Sequence, residues 1–137
     1  MIIMVKNISI LIISCKKYHI FSPICLYFIK KNIIPYEHFD IYYSNDVFEI
    51  NDKIVKKNIV TKNIDYSNFV SRLYESIKII ESEYIWLIQE DHWYTQPKFD
   101  KDTISNIEII CKKWNLDQLR IDDITLTGEK TYQNDVL

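Results

Sequence analysis

The sequence predicts a single small α/β domain with a mostly parallel, doubly wound sheet and helices on both faces. Three observations lead there. Short β-branched and aromatic runs alternate with stretches of helical periodicity, an order that implies right-handed crossovers over a parallel sheet. The two strongest strand runs, Ile8 to Ile13 and Tyr84 to Ile88, are apolar throughout or nearly so, as strands covered on both faces are. The 137 residues suffice for one core and fall short of two ordinary domains of ~100 residues each. A composition of 47% hydrophobic and 26% charged residues belongs to a chain that folds.

The first strand, Ile8 to Ile13, ends in the polar Ser14-Cys15-Lys16-Lys17. Ser22-Pro23 then offers an N-cap and a proline at the first helical position, while Lys30-Lys31-Asn32 closes the helix with cations and a helix-ending residue. From His38 to Ser44, Phe39, Ile41 and Tyr43 alternate with Asp40 and Tyr42, the period of a half-buried strand, and Ser44-Asn45-Asp46 reads as turn chemistry. Ile54-Val55 and Asn58 to Thr61 are two short extended pieces, and the lysines between them suit an exposed edge. From Ser67, the positions Phe69, Leu73, Ile77 and Ile80 recur at helical spacing, which predicts a core-packed helix of about 15 residues ending near Ser82. Tyr84 to Ile88 is the next strand and stops at Gln89-Glu90-Asp91-His92. After Pro97, Asp100 caps a helix striped by Ile104, Ile107, Ile110, Cys111 and Trp114, and Leu119 to Ile121 forms a further short strand. Residues 125–137 lack periodicity and read as a loosely held tail of one domain spanning 1–137.

Composition excludes several function classes. A net charge of −2 and two arginines, Arg72 and Arg120, give no surface for reading a phosphate backbone, so nucleic acid is not an expected partner. Cys15, Cys25 and Cys111 are odd in number, widely spaced and set among apolar residues, which fits reduced thiols in a cytoplasmic compartment. The apolar runs Ile2 to Val5 and Ile8 to Ile13 are split by Lys6-Asn7 and fall short of the ~20 residues that span a bilayer. Lys16-Lys17 stand where a signal peptide would carry a small-residue cleavage site. With Gly128 the sole glycine, no glycine-rich phosphate loop exists, nor does any H-E-x-x-H, Cys-x-x-Cys or G-x-S-x-G motif.

In parallel sheets, ligands bind beyond the carboxyl ends of the strands. Three polar clusters fall there: Ser14 to Lys17, Ser44 to Asp46, and Gln89 to His92. Adjacent carboxylates such as Glu90 and Asp91 repel one another, and an oxygen-ligated Mg²⁺ or Mn²⁺ relieves that repulsion while bridging to phosphate oxygens. The plain alternative is a pair of acids that ends a strand at the surface. His92 is a further candidate metal ligand or general base. Trp93 and Tyr94 flank the same position and suit stacking on a base or sugar.

The string Ser82-Glu83-Tyr84-Ile85-Trp86-Leu87-Ile88-Gln89-Glu90-Asp91 resembles the stretch that ends in the D-x-D motif of GT-A fold glycosyltransferases of the family 2-like kind, in their N-terminal nucleotide-binding half. In that family the motif follows a helix bearing an Ala-Arg-Asn element and precedes an aromatic residue, a proline and another helix. Here Arg72 stands about one position off the usual spacing, and Trp93, Pro97 and the helix after Asp100 follow in order. The likeness extends over about residues 8 to 122 in element order and from Ser67 to Trp114 in motif detail.

By this resemblance Asp91 takes the place of the aspartate that holds the metal on the donor diphosphate, and Glu90 takes the middle position. Gln89 replaces the first aspartate. Ser14 and Asp46 match the positions that hold the nucleoside, against the plain readings of a loop serine and a turn aspartate. Arg72 pairs with the diphosphate, against the plain reading of a solvated helix arginine. The implied function is metal-assisted transfer of a sugar from a nucleotide-sugar donor to a carbohydrate acceptor. Such enzymes carry their acceptor site on a second half beyond the D-x-D strand, which implies a minimal or truncated transferase, or acceptor residues supplied by a partner or oligomer. The alternative is a non-catalytic nucleotide-sugar or carbohydrate-binding module, for which Gln89 and the missing half speak. A nucleotidyltransferase is opposed by the lack of a glycine-rich, lysine-bearing first loop.

Overall fold

A computed structural model of the protein describes residues 8–33, 36–65, 67–91 and 101–115. Strand β1 (Ile8–Ile13) forms where branched side chains favour an extended backbone, and all but Ile8 are buried. It pairs in parallel with β2 (Asp40–Asn45) on one side and with β4 (Tyr84–Gln89) on the other. Beyond β2 lies β3 (Val55–Val60), also parallel, so the sheet order is β3-β2-β1-β4. These strands and their helices make a small single domain of the α/β class.

Two strands depart from expectation. Alternation predicts a half-buried β2, yet Tyr42 and Ser44 are as buried as their neighbours, because Tyr42 joins Leu11 and Ile59 in a core of its own. The strand also starts at Asp40, since Tyr36–His38 forms a 3-10 turn. The two short pieces expected near β3 are one strand. A register shift against Ile41 and Tyr42 leaves Lys56 as an extra residue, and its Nζ reaches Asp40 Oδ2 at 3.0 Å.

Helix α1 (Ser22–Asn32) follows directly on a 3-10 helix over Lys16–Phe21. Pro23 sits in its first turn and Lys30 and Lys31 in its last, as helix polarity favours. Ser22 is not the N-cap: that position falls to Phe21, and the Ser22 hydroxyl is buried in polar contacts described below.

Residues of β1 alternate between two core clusters, as the period of a strand dictates. Ile10 and Ile12 pack with Leu26 and Ile29 of α1 and with Tyr43, Trp86 and Ile88. Ile104 and Ile107 of α3 (Lys101–Trp114) lie against the same cluster. Leu11 packs with Tyr42, Ile59 and Ile80, and Leu73 of α2 (Phe69–Ile77) borders that group. On α3, Cys111 is buried as its stripe predicts, while Trp114 is exposed.

The largest correction concerns α2. Asn68 caps it, accepting the Ser71 N–H at 3.2 Å, and it ends at Ile77 rather than near Ser82. Of the expected core stripe, Ile80 is buried and Leu73 packs against the second cluster, but Phe69 and Ile77 are 37% and 41% exposed, whereas Arg72 and Ser76 are 3% and 0% exposed. The period is helical, but the face turned to the sheet carries polar side chains.

His92, Trp93, Tyr94, Pro97 and Asp100, the strand expected at Leu119 to Ile121 and the tail at 125–137 lie outside the described residues. Among the described residues, no helix is long and apolar enough to cross a membrane.

Candidate functional site

The four described strands run the same way, so their carboxyl ends share one edge. To that edge β1 delivers Ser14, β2 Asp46, β3 Thr61, and β4 Glu90 and Asp91. Ile13 is in register with both Ser44 and Gln89, so Ser14 leaves the sheet beside Glu90. Backbone pairing continues past the strands: the Ser14 N–H donates to the Ser44 carbonyl at 2.8 Å, and the Thr61 N–H to the Asn45 carbonyl at 3.0 Å. Asp46 Oδ1 accepts the Lys16 backbone N–H at 2.6 Å, a charge-assisted bond that joins the ends of β1 and β2.

Arg72 rises from α2 into this edge. Its guanidinium donates to the Ser14 carbonyl and, through Nε, to Thr61 Oγ1 at 3.3 Å. One side chain thus ties the end of β1 to the end of β3, and the reading of Arg72 as a solvated helix arginine is overturned. Such burial requires hydrogen-bonded partners, because guanidinium keeps its charge and offers only donors. One turn on, Ser76 Oγ lies 2.8 Å from Ser44 Oγ and donates to the Arg72 carbonyl, also at 2.8 Å.

At the end of β4, Glu90 is buried while Gln89 and Asp91 are exposed. The Cys25 thiol of α1 donates to the Gln89 carbonyl at 3.9 Å. Burial pushes that thiol up to about 12, and the negative charges of Glu90 and then Asp91 push it the same way. Cys25 is therefore a protonated, unreactive thiol at the end of β4. Among the described residues, no group of three or more histidine, cysteine, aspartate and glutamate side chains is gathered to hold a metal ion. Glu90 and Asp91 are adjacent carboxylates at the end of β4, and His92 lies outside the described residues.

Sequence reasoning missed the hub of the edge. The hydroxyl of Tyr43, on a fully buried side chain, lies 2.8 Å from Ser22 Oγ and 2.7 Å from His19 Nδ1, and it accepts from Asn45 Nδ2 at 3.1 Å. Ser22 Oγ in turn donates to Ser14 Oγ at 3.4 Å. Asn45 Oδ1 accepts the Val47 and Phe48 N–H groups at 2.8 and 2.9 Å, which fixes the turn that presents Asp46. A usable signal was in the chain: Arg72 and Ser76, four apart on one helical face, and Ser44-Asn45 at a strand end are small sets of polar residues that need partners once buried.

Of the candidates from sequence, Ser14, Arg72 and Glu90 are buried at the strand ends, Asp46 is half-buried, and Gln89 and Asp91 reach solvent. The side chain of Ser14 turns toward Ser22, and its carbonyl toward Arg72. No protein-family model, curated protein or solved structure matches this chain. What the edge can do rests on its own residues.

Proposed function

We propose that the chain is a nucleotide-sugar-dependent glycosyltransferase domain whose donor diphosphate lies beyond the ends of β1 and β4. The observation that carries this reading is that Ser14, whose carbonyl accepts from the buried Arg72 guanidinium, leaves β1 beside the buried Glu90 at the end of β4. Strand numbering runs outward from β1 to β3 on one side and resumes with β4 on the other, and open α/β sheets bind ligands where the order reverses in this way. Right-handed crossovers from β1 to β2 and from β3 to β4 run in opposite directions, which favours α1 and α2 on opposite faces of a doubly wound sheet. The separate core clusters reached by α1 and by Leu73 of α2 support the same arrangement.

Glu90 and Asp91 fit a divalent cation as hard oxygen donors, and Mg²⁺ or Mn²⁺ takes its remaining positions from phosphate and water rather than from a protein cage. When bound, such an ion neutralises charge on the departing nucleoside diphosphate. Arg72 supplies a fixed positive charge at the end of β1. Asp46 and Ser14 frame the nucleoside, and Gln89 offers an amide to a hydroxyl. Transfer replaces the donor's bond from sugar carbon to phosphate oxygen with a bond to an acceptor hydroxyl, whose proton goes to a general base on the acceptor side while the nucleoside diphosphate leaves. Three free thiols suit a reducing, cytoplasmic setting.

A second reading, a non-catalytic nucleotide-sugar or carbohydrate-binding module, is favoured by Gln89, an exposed amide where the resembling motif has a carboxylate. Calorimetric titration with nucleoside diphosphates and nucleotide sugars, with and without Mn²⁺, tests the site. Metal-dependent binding that Asp91→Ala abolishes is the expected result, and no binding by the folded protein overturns it. Release of free nucleotide from a bound donor separates enzyme from module.

A further inference from the structure

Beyond the end of β3 lies a concavity of about 530 Å³, between the segment after β3 and the outer side of α2. That volume falls in the range of small-molecule sites, ~300–1,000 Å³. Asn63, Asp65, Asn68, Ser71 and Glu75 supply its polar walls, and Ile64, Val70 and Tyr74 its apolar surface. We propose that this groove binds a neutral saccharide, at a site distinct from the donor edge and independent of the transferase reading.

The chemistry of the walls selects the ligand class. Among the described residues no lysine or arginine lines the groove and two carboxylates do, one of them, Glu75, paired with Lys78 at its edge, so the walls carry no net positive charge to hold an anion such as a phosphate or nucleic acid. The Ser67 N–H and hydroxyl donate to Asp65 Oδ1 at 2.9 and 2.7 Å and hold that carboxyl below the usual carboxylate range. Asp65 is therefore an ionised acceptor. Carboxylates accept, amides both donate and accept, and hydroxyls do either; a ring of sugar hydroxyls presents both roles to each. A dry protein interface would leave those five polar side chains buried against apolar atoms, at a cost that a hydroxylated ligand avoids.

The apolar part is prepared for a flat, weakly polar ring face. Val70 and Tyr74 are 75% and 60% exposed on a helix whose other side carries Arg72 and Ser76 into the sheet. Beside Tyr74, Lys78 Nζ sits 4.5 Å from its ring centroid and pairs with Glu75 Oε1 at 3.1 Å. The Asn68 cap fixes the start of the helix, and with it Ser71. A platform ordered before the ligand arrives loses less entropy on binding.

The full chain, isotope-labelled, should be titrated with neutral gluco-, galacto- and manno-oligosaccharides and followed by backbone amide shifts. Saturable shifts confined to residues 63–75 are expected, with affinity about tenfold weaker in Tyr74→Ala and retained in Tyr74→Phe, as an aromatic contact implies. Nucleoside diphosphate binding in Tyr74→Ala should match the parent, so failure of the groove and failure of the donor site register separately. The proposal is overturned by a folded protein that no neutral oligosaccharide shifts, by equal affinity in Tyr74→Ala, or by shifts that follow protein concentration alone and so report self-association.

Discussion

Helices α1 and α2 meet one sheet with opposite chemistry. α1 presents Cys25, Leu26 and Ile29, all essentially inaccessible, whereas α2 presents Arg72 and Ser76 and keeps Val70 and Tyr74 for solvent. Burying a large apolar side chain contributes ~1.5–3 kcal/mol, while an ordinary hydrogen bond contributes a net ~1 kcal/mol. α1 is therefore an anchor. α2 is held by fewer apolar contacts and by polar ties to Ser14, Ser44 and Thr61, the residues that shape the strand ends. In this fold the first helix supplies stability, and the second trades some of it for a charged group delivered to the strand ends.

Substitutions on the two helices sharpen that contrast. Leu26→Ala should cost the most, about 3 kcal/mol, because a closely packed core leaves a cavity it cannot collapse. The loss would appear as a lower urea midpoint with an unchanged slope. A loss no larger than that of a surface change would mean α1 is not the anchor. Arg72→Met keeps the apolar stem but strips the Ser14 carbonyl and Thr61 hydroxyl of their donor, and should cost about 2 kcal/mol. It should also weaken nucleoside diphosphate binding far more than Leu26→Ala does. An Arg72→Met protein as stable as the parent would show that polar ties do not hold α2.

The same contrast explains what the sequence discloses. Strand β1 is legible as an apolar run that is buried, helix α1 from Pro23 and its closing lysines, and α3 from its apolar stripe. Strand β4 is legible as an apolar run too, although it lies at the outside of the described sheet and leaves Leu87 exposed rather than buried on both faces. Glu90 and Asp91 are legible as polar residues that stop an apolar run. α2 misleads because periodicity reports which residues share a face, not which face meets the sheet, and Phe69, Leu73 and Ile77 outnumber Arg72 and Ser76 in any apolar count. Tyr43 is equally hidden: its ring belongs to the core, and only the positions of His19, Ser22 and Asn45 reveal that its hydroxyl organises the edge. Partners separated by 21 or more residues, as Ser22 and His19 are from Tyr43, leave no local pattern.

The smallest expected effect tests the outward face of α2 most directly. Val70→Ser removes an apolar side chain that is three-quarters exposed, so the folded chain should lose no more than about 0.5 kcal/mol, the scale of surface substitutions. Equilibrium unfolding at two protein concentrations reads this out. A loss above about 1 kcal/mol at both concentrations would mean that another part of the chain covers Val70, and the contrast between the helices would weaken. A loss present only at the higher concentration would mean that a second copy covers it, because only association makes apparent stability depend on protein concentration. An unchanged midpoint at both leaves Val70 and Tyr74 as a surface that folding does not require, which is the condition a ligand groove on α2 must meet.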